Sequence, residues 1–245
     1  MAQRGEVRLE RLTRAEAWDR IQSGEVRVVL VPTGSLEQHR RHLAMDHDIH
    51  SAVCVAEEVA RRLAPSVLVT VPLNAGISEH HMVHRFGSIT LKPGTFQAVL
   101  WDTVDSLVRH GVRKIVILNG HGGNVAPMEG SINQYRRYFE GVDLHFLSYW
   151  DVLPREAVGI LETGVVPGHA TEFETALAMY LFPESVREPE RQADPDPGVR
   201  SATAEKGERL FAAIVEAVVQ YVQKVADGSR RAEINDGLSM EERRS

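Results

Sequence analysis

Lys114-Ile-Val-Ile-Leu-Asn-Gly-His-Gly-Gly-Asn124 opens as an apolar, β-branched run and breaks into a glycine-rich loop carrying one histidine. A short apolar run closed by turn residues reads as a strand buried on both faces. Val26-Arg-Val-Val-Leu-Val-Pro32 has the same character and also ends in a turn, at Gly34 and Ser35. Val67–Leu73 and Leu144–Trp150 supply two further extended segments. Helical periodicity falls between and after them, over Ile49–Leu63, Thr95–His110, Pro127–Phe139, Thr171–Leu181 and Ala202–Val225; the last has apolar residues at 210, 211, 214, 215, 218, 219 and 222. Strand and helix in alternation predict an α/β fold with a mainly parallel sheet covered by helices on both faces.

The chain has 245 residues, which suits one α/β domain, here residues 1–227, followed by a polar Arg/Glu-rich tail, 228–245, expected to be mobile. The proline-rich, charged stretch Pro183–Gly198 is too broken to predict regular structure and reads as a surface loop or subunit arm. With 28 basic and 34 acidic residues the formal charge is −6, so no basic stripe invites nucleic acid. No apolar run approaches the roughly 20 residues of a membrane span, and Met1–Glu16 has no apolar signal core, which points to the cytoplasm and away from membranes. The single cysteine, Cys54, excludes an internal disulfide.

Histidine is the anomaly: 11 are present, and those at 39, 42, 47, 50, 80, 81 and 84 form two short clusters. Ligands of parallel α/β sheets collect at the carboxyl ends of the strands, where the loops Gly34–His39 and Asn119–Asn124 both begin. The first region supplies Glu37, His39 and Asp48, and the second supplies His121. A third segment, Gly168-His-Ala-Thr-Glu-Phe-Glu-Thr175, places His169 before a helix and Glu174 within it. With no thiol cluster, this His/Asp/Glu set is the one transition-metal site the sequence offers. Five ligands, Glu37, His39, Asp48, His121 and Glu174, exceed what one open catalytic ion needs and suit two divalent ions bridged by a carboxylate, with an activated water. Spacing alone does not select the bridging acid.

Gly34-Ser-Leu-Glu-Gln-His39 with His42 and Asp48, Asn119-Gly-His-Gly-Gly-Asn124, and His169-Ala-Thr-Glu-Phe-Glu-Thr175, in that order, resemble the creatininase (creatinine amidohydrolase) family. Gly76-Ile-Ser-Glu-His-His-Met82, Gly87–Leu91 and Ala202–Gly207 extend the likeness over residues 25 to 225. The resemblance implies a three-layer α/β/α sandwich, a homo-oligomer that is commonly a hexamer, and metal-dependent hydrolysis of a small cyclic or linear amide. It implies two ions per subunit, zinc or manganese with iron as a further option. His39, Asp48 and His121 would hold one ion and Glu37, Asp48 and Glu174 the other, with His169 handling the proton. Creatininase itself has a metal-binding glutamate where this chain has Gly123, so a branch other than creatininase is expected, with Glu174 taking that role. The chain departs again at Arg40 and Arg41, where a Gly-Pro pair is usual, at Ala44, usually proline, and at His47, where threonine is common.

The backbone N–H groups at Gly122 and Gly123 are open to a substrate oxyanion, and Ser78 and His81 are the better candidates for substrate contact on the second histidine cluster. His42 is expected to support its loop through a hydrogen bond, and His50, His110 and His145 to be ordinary surface or core residues. Two other readings compete: hydrolysis of a non-amide bond next to a carbonyl in a ring substrate, and a noncatalytic metal-binding oligomeric subunit.

Overall fold

The structure, a computed structural model, describes residues 5–82 and 86–234. Among these, four strands, β1 (Val28–Thr33), β2 (Val67–Val69), β3 (Lys114–Asn119) and β4 (Asp143–Ser148), form a wholly parallel sheet in the order β2-β1-β3-β4. The helices are α1 (Arg14–Gln22), α2 (His47–Arg62), α3 (Pro93–Arg109), α4 (Val125–Tyr138), α5 (Arg155–Val158), α6 (Glu172–Leu181), α7 (Glu188–Ala193), α8 (Pro197–Ser201) and α9 (Ala204–Asp227).

Side chains of a strand alternate between faces, and here they divide into two cores. Val28 and Leu30 of β1 and Val116 and Leu118 of β3 pack with α2, α6 and α9, whereas Val29, Val31, Ile115 and Ile117 pack with α3 and α4. Both faces are therefore covered, giving the expected three layers and explaining why the strands read as unbroken apolar runs. None of the helices among the described residues is long and apolar enough to cross a membrane.

β1 connects to β2 on one side and pairs with β3 on the other, so the chain reverses direction across the sheet between β1 and β3, the place where such sheets bind ligands. Thr33 and Asn119 are register partners there. Two glycines let α2 approach this edge: a Cβ on Gly34 would lie 2.6 Å from the Ile49 backbone, and one on Gly120 would strike the Asp48 carbonyl. Asp48, in the first turn of α2, is thereby held over the ends of both central strands.

Two expectations change. Pro183–Gly198 is not irregular: it contains a 3-10 turn, α7 and the start of α8. Proline occupies the opening positions of each of these helices, where a missing N–H costs nothing, and the Arg191 guanidinium supplies donors to the carbonyls of Val199 and Arg200, both at 3.0 Å. The segment also clamps the first histidine loop, with Arg187 N–H donating to the His42 carbonyl at 2.7 Å. The second change is α1, which the apolar pattern does not predict and which a capping box between Thr13 and Glu16 starts. Of the expected tail, residues 228–234 fold back: Ala232 N–H donates to Asp143 Oδ1 at 2.8 Å, and Arg230 covers the Tyr221 ring at 4.4 Å. Residues 235–245 lie outside the described residues.

Candidate metal centre

Glu37, His39, Asp48, His121, His169 and Glu174, which come from three loops and two helices, meet at the ends of β1 and β3. His39 Nε2 lies 3.0 Å from Asp48 Oδ1 and 3.7 Å from Glu174 Oε2. His121 Nδ1 lies 2.8 Å from Asp48 Oδ2 and 3.6 Å from Glu37 Oε1, and His169 Nδ1 is 3.4 Å from the same Glu37 oxygen. The five predicted ligands, Glu37, His39, Asp48, His121 and Glu174, are all buried, while His169 is partly exposed. The cluster borders a cavity of about 270 Å³ that Gly122, Gly123, His80 and His81 also line.

Each imidazole is held by its far nitrogen. His39 Nδ1 lies 3.1 Å from the Glu37 carbonyl and His121 Nε2 lies 3.0 Å from the Ile77 carbonyl, so each ring donates an N–H to backbone and turns its other nitrogen to the cluster. Metal-binding histidines are oriented in this way. Asn119 and Asn124, which carry no chemistry in the sequence reading, brace the loops: Asn119 Oδ1 accepts the His121 N–H at 3.2 Å, and Asn124 Nδ2 donates to the Gly34 carbonyl at 3.2 Å. Their place at both ends of the glycine-rich loop is the signal that marks them.

Among the described residues Glu37 Oε2 is buried without a hydrogen-bond partner, and His39 Nε2 and Asp48 Oδ2 have only their close ionic contacts to Asp48 and His121. Burial lifts the carboxyl of Glu37, against the pull of His121, and lifts that of Glu174 to about 8, against the pull of His39. Burial opposes charge on His39, yet Asp48 and Glu174 outweigh it and raise the ring to about 10. An orphaned carboxylate oxygen and three carboxylates crowded out of water call for compensating positive charge, and divalent cations fit this nitrogen and oxygen donor set. Three trios of ligand atoms each lie within 4.8 Å: Glu37, His39 and Asp48; His39, His169 and Glu174; Glu37, His81 and His169.

The remaining candidates divide. His81 is buried beside Glu37, with Nε2 3.5 Å from Oε1, and faces the cavity. Ser78 does not line the cavity: it is fully buried, its hydroxyl 2.5 Å from Ser35 Oγ and 3.2 Å from His121 Nε2, and it steadies the His121 ring instead. His42 reaches Thr175 Oγ1 at 2.9 Å, tying its loop to α6 as expected. Arg40 and Arg41 are not free charges at the cavity mouth; they pair with Asp194, Asp196 and Glu190. His84 lies outside the described residues. Gly123 has no room for a side chain, because a Cβ would collide with the Ile77 carbonyl and stand 2.5 Å from His121 Nε2. Gln38, which the sequence reading passes over, donates from its amide to His81 Nδ1 at 2.9 Å and His169 Nε2 at 2.8 Å.

A family model described as creatinine amidohydrolase matches residues 10–222. The creatinine amidohydrolase of Pseudomonas putida is 27% identical over 87% of this chain and 95% of its own length. A mycofactocin precursor peptide peptidase of Mycolicibacterium smegmatis is 27% identical over 81% and 85%, and a 3-dehydro-scyllo-inosose hydrolase of Thermotoga maritima is 27% identical over 64% and 51%. A crystal structure of creatininase superposes with a TM-score of 0.79 at 26% identity, covering 89% of this chain and 97% of that one. Two related creatininase structures, each with a TM-score of 0.78, are described as a manganese form and, for a point mutant, a Zn-Zn type.

Proposed function

The chain belongs to the creatininase family of hydrolases, and from that premise we propose that it uses two divalent ions, zinc or manganese, to cleave a C–N bond of a small cyclic or linear amide. The observation that carries this reading is the convergence of two imidazoles, each fixed by a backbone carbonyl, with three buried carboxylates, one of whose oxygens, Glu37 Oε2, has no partner among the described residues. His39, Asp48 and His121 would hold one ion, and Glu37, Asp48 and Glu174 the other. Asp48 suits the shared position because its two oxygens face different imidazoles, at 3.0 and 2.8 Å.

Bound ions supply Lewis acidity, polarising a carbonyl and lowering the pKa of water from 15.7 towards about 7. The chain supplies position and proton management. His169 stands on the cavity wall, where burial and the nearby His39 and His81 hold its ring down to about 3, so that it is neutral at neutral pH. In that state it can present an N–H towards the leaving nitrogen. The N–H groups around Gly122 and Gly123 are candidates for binding the oxyanion, since a Cβ on Gly122 would meet open space and Gly123 carries none. His81 contributes a wall for the substrate.

A cavity of about 270 Å³ favours a small substrate. A peptide bond is the second reading, favoured by the mycofactocin precursor peptide peptidase among the relatives. Purified protein loaded with zinc or manganese would be assayed against cyclic amides, N-formyl amides and short peptides. Turnover of the first two classes supports the proposal, turnover of peptides alone supports the second reading, and turnover only of a non-amide ring substrate such as a cyclic polyol-derived ketone, added to the panel, overturns both. A homo-oligomeric state, a hexamer in particular, is a further proposal that light scattering reads directly.

A further inference from the structure

We infer that Gln38 is a positioning residue that fixes the tautomers of His169 and His81, so that both rings meet the cavity as N–H donors and neither serves as a metal ligand. The inference rests on the metal-centre reading only for what it means to catalysis; the tautomers themselves follow from hydrogen bonds.

An amide side chain has one oxygen and one nitrogen, and their assignment is decided by the surrounding donors and acceptors. Here the Arg40 backbone N–H, which can only donate, points at one end of the Gln38 amide at 3.1 Å, so that end is the oxygen. The nitrogen then faces both rings, and its two hydrogens have two recipients: His169 Nε2 at 2.8 Å and His81 Nδ1 at 2.9 Å. A nitrogen that accepts carries no proton. In the neutral ring the proton therefore sits on the other nitrogen, Nδ1 of His169 and Nε2 of His81. Those are the two atoms that stand 3.4 and 3.5 Å from Glu37 Oε1.

Glu37, His81 and His169 have the spacing of a metal site, with ligand atoms within 4.8 Å of one another. A ring nitrogen that bears a proton cannot bind a cation, however, so Gln38 keeps this trio from competing with the five deeper ligands. It also leaves Nδ1–H as the one group through which the neutral His169 ring can hydrogen-bond a substrate. Arg40 itself takes a left-handed backbone, φ 54°. The chain thus turns back on itself two residues after Gln38 and locks the amide from behind.

Ring 15N NMR of the histidine-labelled, zinc-loaded protein reads the tautomers directly. We expect His169 to be protonated at Nδ1 and His81 at Nε2 in the wild type. In Gln38→Glu the carboxylate can only accept, so both rings should switch, exposing lone pairs beside Glu37 and raising the zinc bound per subunit. Gln38→Leu removes the donor without supplying an acceptor, so turnover should fall ~10–100-fold, the usual cost of losing a partner that orients an active ring, while the zinc content does not drop below the wild-type value. A wild-type His169 protonated at Nε2, or tautomers unchanged in Gln38→Glu, would overturn the inference. Failure of the amidase proposal would appear instead as missing turnover with the tautomers as stated, and the wild-type spectrum stands even if a variant misfolds.

Discussion

Arg40 Nη1 and Asp194 Oδ1 are 3.0 Å apart, joining the first histidine loop to the turn after α7 across 154 positions of sequence. The other arm of the guanidinium meets Asp196 at 2.9 Å. The family pattern places glycine where this chain has Arg40, and the backbone keeps the glycine-like conformation, φ 54°. A left-handed residue with a side chain costs about 1–2 kcal/mol, and the two ion pairs, partly exposed, offset about 0–1 kcal/mol each.

The balance leads to an ordering of variants. Arg40→Ala keeps the backbone strain and loses both pairs, so it should lower stability by about 1 kcal/mol. Arg40→Gly relieves the strain and should lie closer to the wild type. Urea denaturation of the three proteins checks this; Arg40→Gly falling below Arg40→Ala would contradict it.

His169→Ala should leave the metal content unchanged and reduce turnover ~10²–10⁴-fold, the range for removing a proton-handling group. Elemental analysis beside an amidase assay separates the two quantities. Loss of metal in this variant would move His169 into the ligand set and contradict the role given to it.

Gly123→Ala forces a Cβ against the Ile77 carbonyl and the His121 ring. A cost of about 1–3 kcal/mol, typical of overpacking, should appear in thermal unfolding, with weakened metal binding because His121 is displaced. Gly122→Ala, where a Cβ meets open space, is the control and should do neither.

His145 sits between Asp143 Oδ1, at 3.0 Å from Nε2, and the Tyr221 hydroxyl, at 2.8 Å from Nδ1. Burial holds the ring below its ordinary value, with Asp143 pulling the other way. As the pH falls through about 6.5, the usual histidine value, the unfolded chain takes up the proton first. The stabilisation is therefore complete above that pH and is lost as the pH drops towards the lower folded value, at no more than about 1.4 kcal/mol per pH unit. His145→Gln should be less stable than the wild type at pH 8, and the gap should narrow by pH 5. A gap that is constant with pH rules this out.

Much of this is legible in the sequence. The four strands and α2, α3, α4, α6 and α9 follow from β-branched runs and helical periodicity, because both faces of the sheet are buried and leave an apolar record. Glu37, His39, Asp48, His121 and Glu174 are legible as well, since metal chemistry restricts residue type. What escapes is held by polar contacts between distant segments. Gln38 looks like any polar loop residue until Arg40, His81 and His169 surround it. Ser78 reads as a candidate substrate contact until Ser35 and His121 enclose it. The end of α8 depends on Arg191 filling its carbonyls, and α1 on a Thr13–Glu16 cap that apolar periodicity does not register.

The most direct measurement is the anomalous scattering of zinc in crystals of the loaded protein, collected for the wild type and Asp48→Ala, with hydrolysis assayed on the same preparations. The account predicts two zinc positions per subunit flanking the Asp48 carboxylate, and loss of at least one of them together with hydrolysis in the variant. A single zinc remote from Asp48, or an Asp48→Ala protein that hydrolyses its substrate without metal, would contradict it.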